Sequence, residues 1–148
     1  MSGEDDLIKL YSQRILALAA DIPHAERLAG PQVSARRRSP LCGSTVTVDL
    51  DVADGRIVRF GQDVKACALG QAAASVLGAQ AIGSTRDEIA RARDQLAAML
   101  KTAGPVPEAP FEGFEVLLPA RDYRNRHASI LLALDATLAA LDEAAAAA

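Results

Sequence analysis

The chain has 148 residues, enough for one domain that buries its own core without metal or disulfide staples. Half of the residues are hydrophobic, aromatics make up 3%, tryptophan is absent and the formal net charge is -3. That balance excludes a general nucleic-acid binder, because phosphate backbones are gripped by clustered lysine and arginine and the one basic run, Arg36 to Arg38, is short. The opening MSGEDDLIKL is acidic where a secretory signal is basic. The most apolar stretches, 66–83 and 129–141, are interrupted by Gln71, Gln80 and Asp135. The expectation is a cytoplasmic protein with no membrane span.

In chain order, residues 5–20 place Leu7, Tyr11, Ile15 and Leu18 on one helical face, with Asp5 and Asp6 suited to the positive end of a helix. Pro23, Gly30 and Pro31 punctuate a loop, and QVSARR reads as a short edge strand before Pro40. TVTVDLDV alternates strictly: Val46, Val48, Leu50 and Val52 share one face, Thr45, Thr47, Asp49 and Asp51 the other. Asp54-Gly55 supplies hairpin turn chemistry, and RIVRF returns as the antiparallel partner.

From Ala66 to Ile82, Ala72, Ala73, Ala74, Ser75, Gly78 and Ala79 predict a helix lying close against the sheet. Thr85 and Glu88 have capping-box spacing and start a further helix that runs to about Lys101. GPVPEAP breaks the chain, and 111–118 fits a short helix or an extended piece. A last helix from about Asp122 carries Ile130, Leu131, Leu134, Leu138 and Leu141 and leads into an alanine-rich tail at 143–148. The residues alone predict an α+β fold, a small three-stranded antiparallel sheet with helices packed on one face, forming one domain over 1–148.

The candidate chemistry lies in two cysteines and two histidines. In a reducing compartment Cys42 and Cys67 are poor material for a structural disulfide, which leaves packing, redox work or metal binding. Cys42, in SPLCGS, precedes the first hairpin strand, and Cys67 opens the helix after the second. Both belong to the open end of one antiparallel pair, which brings them near each other. A helix start also favours an anionic sulfur, the form that binds metal or attacks sulfur. Yet cysteine is among the most buried residue types, so the residues alone leave a packed thiol and a ligand both open. His127 at the start of the last helix is open in the same way, and His24, in a proline-flanked loop, is given no role.

Three pieces carry a family likeness: SPLCGS, then DGRIVRFGQDVKACALGQAAAS, then LPARDYRNRHASILLALDATLAAL. In order and spacing they resemble the N-terminal NifU, IscU and SufU family of iron-sulfur cluster assembly scaffolds, over roughly residues 5–143. The long STRDEIARARDQLAAMLK segment and the LPAR lead-in are closer to the SufU branch than to IscU. The resemblance implies a SufE/NifU-like fold, with Cys42 and Cys67 in the first and second cysteine positions. His127 matches the histidine that precedes the third cysteine in IscU-like members. That third cysteine is Ala128 here, and the aspartate of the family's Cys-Gly-Asp is Ser44.

The implied function is a scaffold or carrier, not a turnover enzyme. It would bind iron, zinc or a 2Fe-2S cluster through Cys42, Cys67 and His127, with a cysteine desulfurase and recipient apo iron-sulfur proteins as partners. Clusters and structural zinc normally take four ligands, so a fourth would come from water, a partner thiolate or a second copy in a homodimer. Two alternatives stand beside this reading. One is a zinc-containing sulfur-transfer helper that accepts persulfide sulfur from the desulfurase; the other is a metal-free accessory protein that lost cluster assembly. Arg36 to Arg38, Arg121, Arg124 and Arg126 would give the site a cationic rim if their loops meet.

Overall fold

A computed structural model describes residues 11–40 and 43–147. The elements run α1 (Gln13–Ala20), β1 (Val33–Arg38), β2 (Thr45–Ala53), β3 (Arg56–Lys65), α2 (Ala68–Gln80), α3 (Arg86–Lys101), a 3-10 segment (Glu112–Asp122) and α4 (Arg124–Ala147). This is the α+β arrangement expected, a three-stranded antiparallel sheet in the order β1-β2-β3 with helices packed on it. No helix among the described residues is long and apolar enough to cross a membrane.

The alternation of β2 does what its pattern predicts on one side. Val46, Val48 and Leu50 are buried against the helices, with Ile57 and Phe60 of β3 beside them. The turn at Asp54 and Gly55 has both residues at positive φ, 53° and 75°, which matches the twist of the flanking strands. Pairing runs from Ala53 opposite Arg56 to Thr45 opposite Lys65, so the open end of the hairpin places Ser44 beside the entry to α2.

The other face of β2 is not left to solvent. Asp49 is completely buried there, because residues 21–32 fold back across the sheet. Its carboxylate accepts from Arg27 Nε at 2.7 Å, Arg27 Nη2 at 3.0 Å, the Leu28 amide at 3.0 Å and the Ser34 hydroxyl. Burial alone would push the Asp49 carboxyl up, but these hydrogen bonds and the Arg27 charge together hold it below the ordinary carboxylate range. Asp51 pins the same loop: the Gln32 amide donates to it at 2.7 Å and Arg59 at 2.8 Å.

Helix α1 is capped by Ser12, whose hydroxyl accepts from the Ile15 amide. Ile15 is buried, Leu18 packs on the core and Tyr11 is exposed; the expected contributions of Asp5, Asp6 and Leu7 lie outside the described residues. Helix α3 starts on the predicted capping box, with the Thr85 hydroxyl and the Glu88 carboxylate each taking the other's backbone amide. The ambiguous 111–118 enters the 3-10 segment at Glu112 after Phe111 as its N-cap; Pro119 removes an amide donor within it, and Phe111 stacks on Phe114.

The last helix departs from a simple amphipathic pattern. Helix α4 packs on β1 and β2 and also meets α2, α3 and the 3-10 segment. It is therefore buried on almost every side from His127 to Leu141, and it continues through the alanine-rich stretch to Ala147. Alanine and threonine turn toward the sheet or neighbouring helices as often as leucine does, which explains why a leucine stripe understates its burial.

Candidate functional site

The three motif pieces meet at the open end of the hairpin. The β1–β2 connection, residues 39–44, is closed at its base: the Ser39 amide donates to the Ser44 carbonyl at 2.8 Å and the Gly43 amide to the Ser39 carbonyl at 2.9 Å. Gly43 sits at φ +72°, a backbone conformation that suits glycine. Cys42 itself lies outside the described residues, so its two flanks define where its loop is anchored.

Cys67 is the N-cap residue of α2, in extended conformation, with its carbonyl accepting from the Gln71 amide at 2.9 Å. Its side chain makes no capping hydrogen bond to the first-turn amides. The half-buried sulfur lies 3.5 Å from the Ser129 hydroxyl of α4, and that hydroxyl lies 3.1 Å from Ser44 Oγ. Ser44, Ser129 and Cys67 thus form one chain of contacts spanning 85 residues of sequence on one side and 62 on the other. Both serines are buried, at 5% and 1% exposure.

Glycine makes this approach possible. A Cβ on Gly70 would come 2.7 Å from Ser129 Oγ and 3.1 Å from the Ser129 carbonyl oxygen, so only glycine lets the first turn of α2 close on α4 here.

His127 takes a different direction. It is buried, and its Nε2 lies 3.0 Å from the Ala120 carbonyl and 3.1 Å from the Arg121 carbonyl. Carbonyl oxygens only accept, so Nε2 carries a proton toward them, which leaves Nδ1 as the nitrogen a metal could use. On a helix, positions two apart lie about 200° from each other, so with Ser129 facing Cys67, His127 faces the end of the 3-10 segment. It lines a shallow depression there with Lys101 and Arg124. Ala128, half-buried, sits between the two directions. Among the described residues no three His, Cys, Asp or Glu side chains gather to hold a metal ion.

The arginines divide in the same way. Arg36, Arg37 and Arg38 are exposed on edge strand β1, and Arg124 is exposed at the start of α4. Arg121 instead bonds the end of α3, donating to the Met99 carbonyl at 2.7 Å and the Gly104 carbonyl at 3.3 Å. His24 has a structural place, at φ 57° with its ring edge-on to Phe60 and its carbonyl accepting from the Gln62 amide.

Two residues that the fold makes important carry little signal in the sequence. Ser129 was hidden behind its neighbour Ala128, and its only signal was a small hydroxyl amid the apolar residues of the last helix. Asp49 carried no signal beyond its place on the polar side of an alternating strand.

No protein-family model and no curated protein matches the chain. Solved structures do. The crystal structure of a nitrogen-fixing NifU-like protein (N-terminal) from Brucella abortus is 43% identical over 97% of this chain and 99% of that one, with a TM-score of 0.93. A protein from the thermophile Fervidobacterium islandicum, described as an iron-sulfur cluster assembly scaffold for the SUF system, shares the fold at 20% identity. It covers 90% of this chain and 98% of its own, with a TM-score of 0.78. A hypothetical protein solved at 2.3 Å resolution does so at 18% identity, covering 91% and 98%, with a TM-score of 0.81. With 43% identity over almost its whole length to the Brucella protein, the chain belongs to the NifU-like N-terminal family, of the NifU, IscU and SufU type.

Proposed function

We propose that the chain is an iron-sulfur cluster assembly scaffold or carrier of the cytoplasm, acting as one domain, whose cargo is iron or a 2Fe-2S cluster. Cys42 and Cys67 are the proposed ligands at the open end of the hairpin; His127, proposed with them, faces the end of the 3-10 segment in this conformation, so its ring must swing toward Cys67 to bind through Nδ1. The observation that carries the reading is the convergence of Ser44, Ser129 and Cys67, which anchors the Cys42 loop next to a half-exposed thiol at a helix start. A thiol so placed has unpaired amides and the positive end of the α2 dipole beside it, and its sulfur is not spent on capping. His127 fits a ligand's chemistry in one respect: a ligating imidazole is normally oriented by a hydrogen bond from its other nitrogen to a carbonyl or carboxylate.

Three ligands leave one coordination place for water, a partner thiolate or a second copy of the chain. Sulfur would arrive from a cysteine desulfurase. Ala128 has no atom that can accept it, so a cysteine thiolate, Cys42 or Cys67, attacks the outer sulfur of the desulfurase persulfide. The new S–S bond forms as the old one breaks, and the desulfurase cysteine leaves as thiolate. Release of that outer sulfur as sulfide takes two electrons, which an external dithiol or an electron-transfer protein would supply, and the assembled cluster then passes to recipient apo iron-sulfur proteins. Zinc is the alternative occupant, favoured by the same donor set of thiolate and imidazole.

Anaerobic incubation with ferric iron, sulfide and thiol tests the reading. The expected result is a brown protein with visible cluster absorption, lost in Cys67→Ala. A colourless protein that still stimulates a desulfurase and carries a trappable persulfide would replace the scaffold by a sulfur-transfer helper. Neither colour nor persulfide would leave a metal-free accessory role.

A further inference from the structure

The hydroxyl of Ser129 lies between Ser44 and the sulfur of Cys67, and either end of each contact can donate when the thiol is protonated. A sulfur bound to a cation has lost its proton and can only accept. We propose that Ser129 is a positioning residue for Cys67, donating a hydrogen bond to the Cys67 sulfur when that sulfur holds a metal, with the Ser44 hydroxyl donating to Ser129 in turn. The inference rests on the reading of Cys67 as a ligand and extends it to Ser129, which no ligand pattern names, and to Ser44, which stands where the family's Cys-Gly-Asp has its aspartate.

Three features make the contact more than proximity. Ser129 is 1% exposed, so water does not compete for its proton. Its one hydroxyl proton has two neighbours, Ser44 and Cys67; if Ser44 supplies its own proton, that of Ser129 goes to sulfur. The space that admits the hydroxyl is the missing side chain of Gly70, whose Cβ would come 2.7 Å from Ser129 Oγ, so α2 closes on α4 at this point. Donors to ligand sulfurs lower the energy of the sulfur lone pairs and tune the metal they bind.

Cobalt(II) serves as the probe, because its thiolate complexes have a ligand-to-metal charge-transfer band in the near ultraviolet. In the full chain titrated anaerobically with Co2+, the band of Ser129→Ala should move to longer wavelength, as an undonated sulfur gives up its electrons more readily. Co2+ retention against a competing chelator should fall by about tenfold, the usual size of a lost supporting contact. Ser44→Ala should shift the band the same way by less, since Ser129 still donates but loses its fixed direction. Unchanged thermal melting of the variants separates this from loss of fold. A band present in the parent chain but unmoved in Ser129→Ala overturns the inference and leaves the ligand reading intact. No thiolate band in the parent chain, or one that survives Cys67→Ala, overturns the ligand role of Cys67 first and this inference with it.

Discussion

The two sides of the β2–β3 hairpin treat their polar groups in opposite ways. Around Asp49 every demand is met: two guanidinium contacts, an amide and a hydroxyl converge on one buried carboxylate, and the loop over residues 21–32 is fastened to the sheet. At the open end, Cys67 is half-exposed, makes no capping bond and has one long contact to a hydroxyl. A buried carboxylate with a full set of donors stabilises and has no capacity left for a ligand. A thiol with spare capacity, held on a rigid framework, is suited to binding.

The contrast can be broken from either side. At the open end, Ala128→Cys supplies the family's third thiol and should tighten Zn2+ or Co2+ binding by at least about tenfold in a competitive chelator titration. An unchanged affinity would mean that position 128 does not point at the site. On the closed side, Asp49→Ala strands Arg27, Ser34 and the Leu28 amide and should cost about 2–4 kcal/mol in urea unfolding. Metal binding by the folded variant should not change, and coupled loss of both would erase the distinction between the two regions.

Between them lies Gly70→Ala, which forces a methyl against Ser129 and should cost about 1–3 kcal/mol while disturbing the spectrum of bound Co2+. A stability loss with an unaltered spectrum would separate helix packing from the thiol. The smallest expected effect is on pH dependence. The Asp49 carboxyl is held low in the folded chain, so its contribution is present above the ordinary carboxylate range and fades as pH falls below about 4 toward its lowered folded value. Urea midpoints measured from pH 6 to pH 3 should drop, and Asp49→Asn should flatten part of that slope; an equal slope in the variant would assign acid sensitivity elsewhere.

What could be read from the sequence followed from local rules. The alternation of residues 45–52, the Asp54-Gly55 turn and the Thr85–Glu88 box each involve neighbours within a few positions, and the structure keeps all three. The open end of the hairpin could also be foreseen, because antiparallel pairing dictates which ends meet. Asp49 could not, since its main partner is 22 residues away in a loop with no regular structure. Nor could Ser129, which meets Ser44 and Cys67 only after two helices have packed. The direction of His127 needed the 3-10 segment, itself ambiguous in sequence because Pro119 interrupts any regular helical pattern. Cys42 lies outside the described residues, and its part in the site rests on the loop that carries it.

The most direct test of the central claim is the iron, zinc and acid-labile sulfide content per chain of protein purified without oxygen or chelators, alongside Cys67→Ala. The parent protein should hold close to one zinc, or iron with matching sulfide, per chain, and the variant should lose it. Metal-free protein that stays so after anaerobic reconstitution, or a variant that keeps its metal, would contradict it.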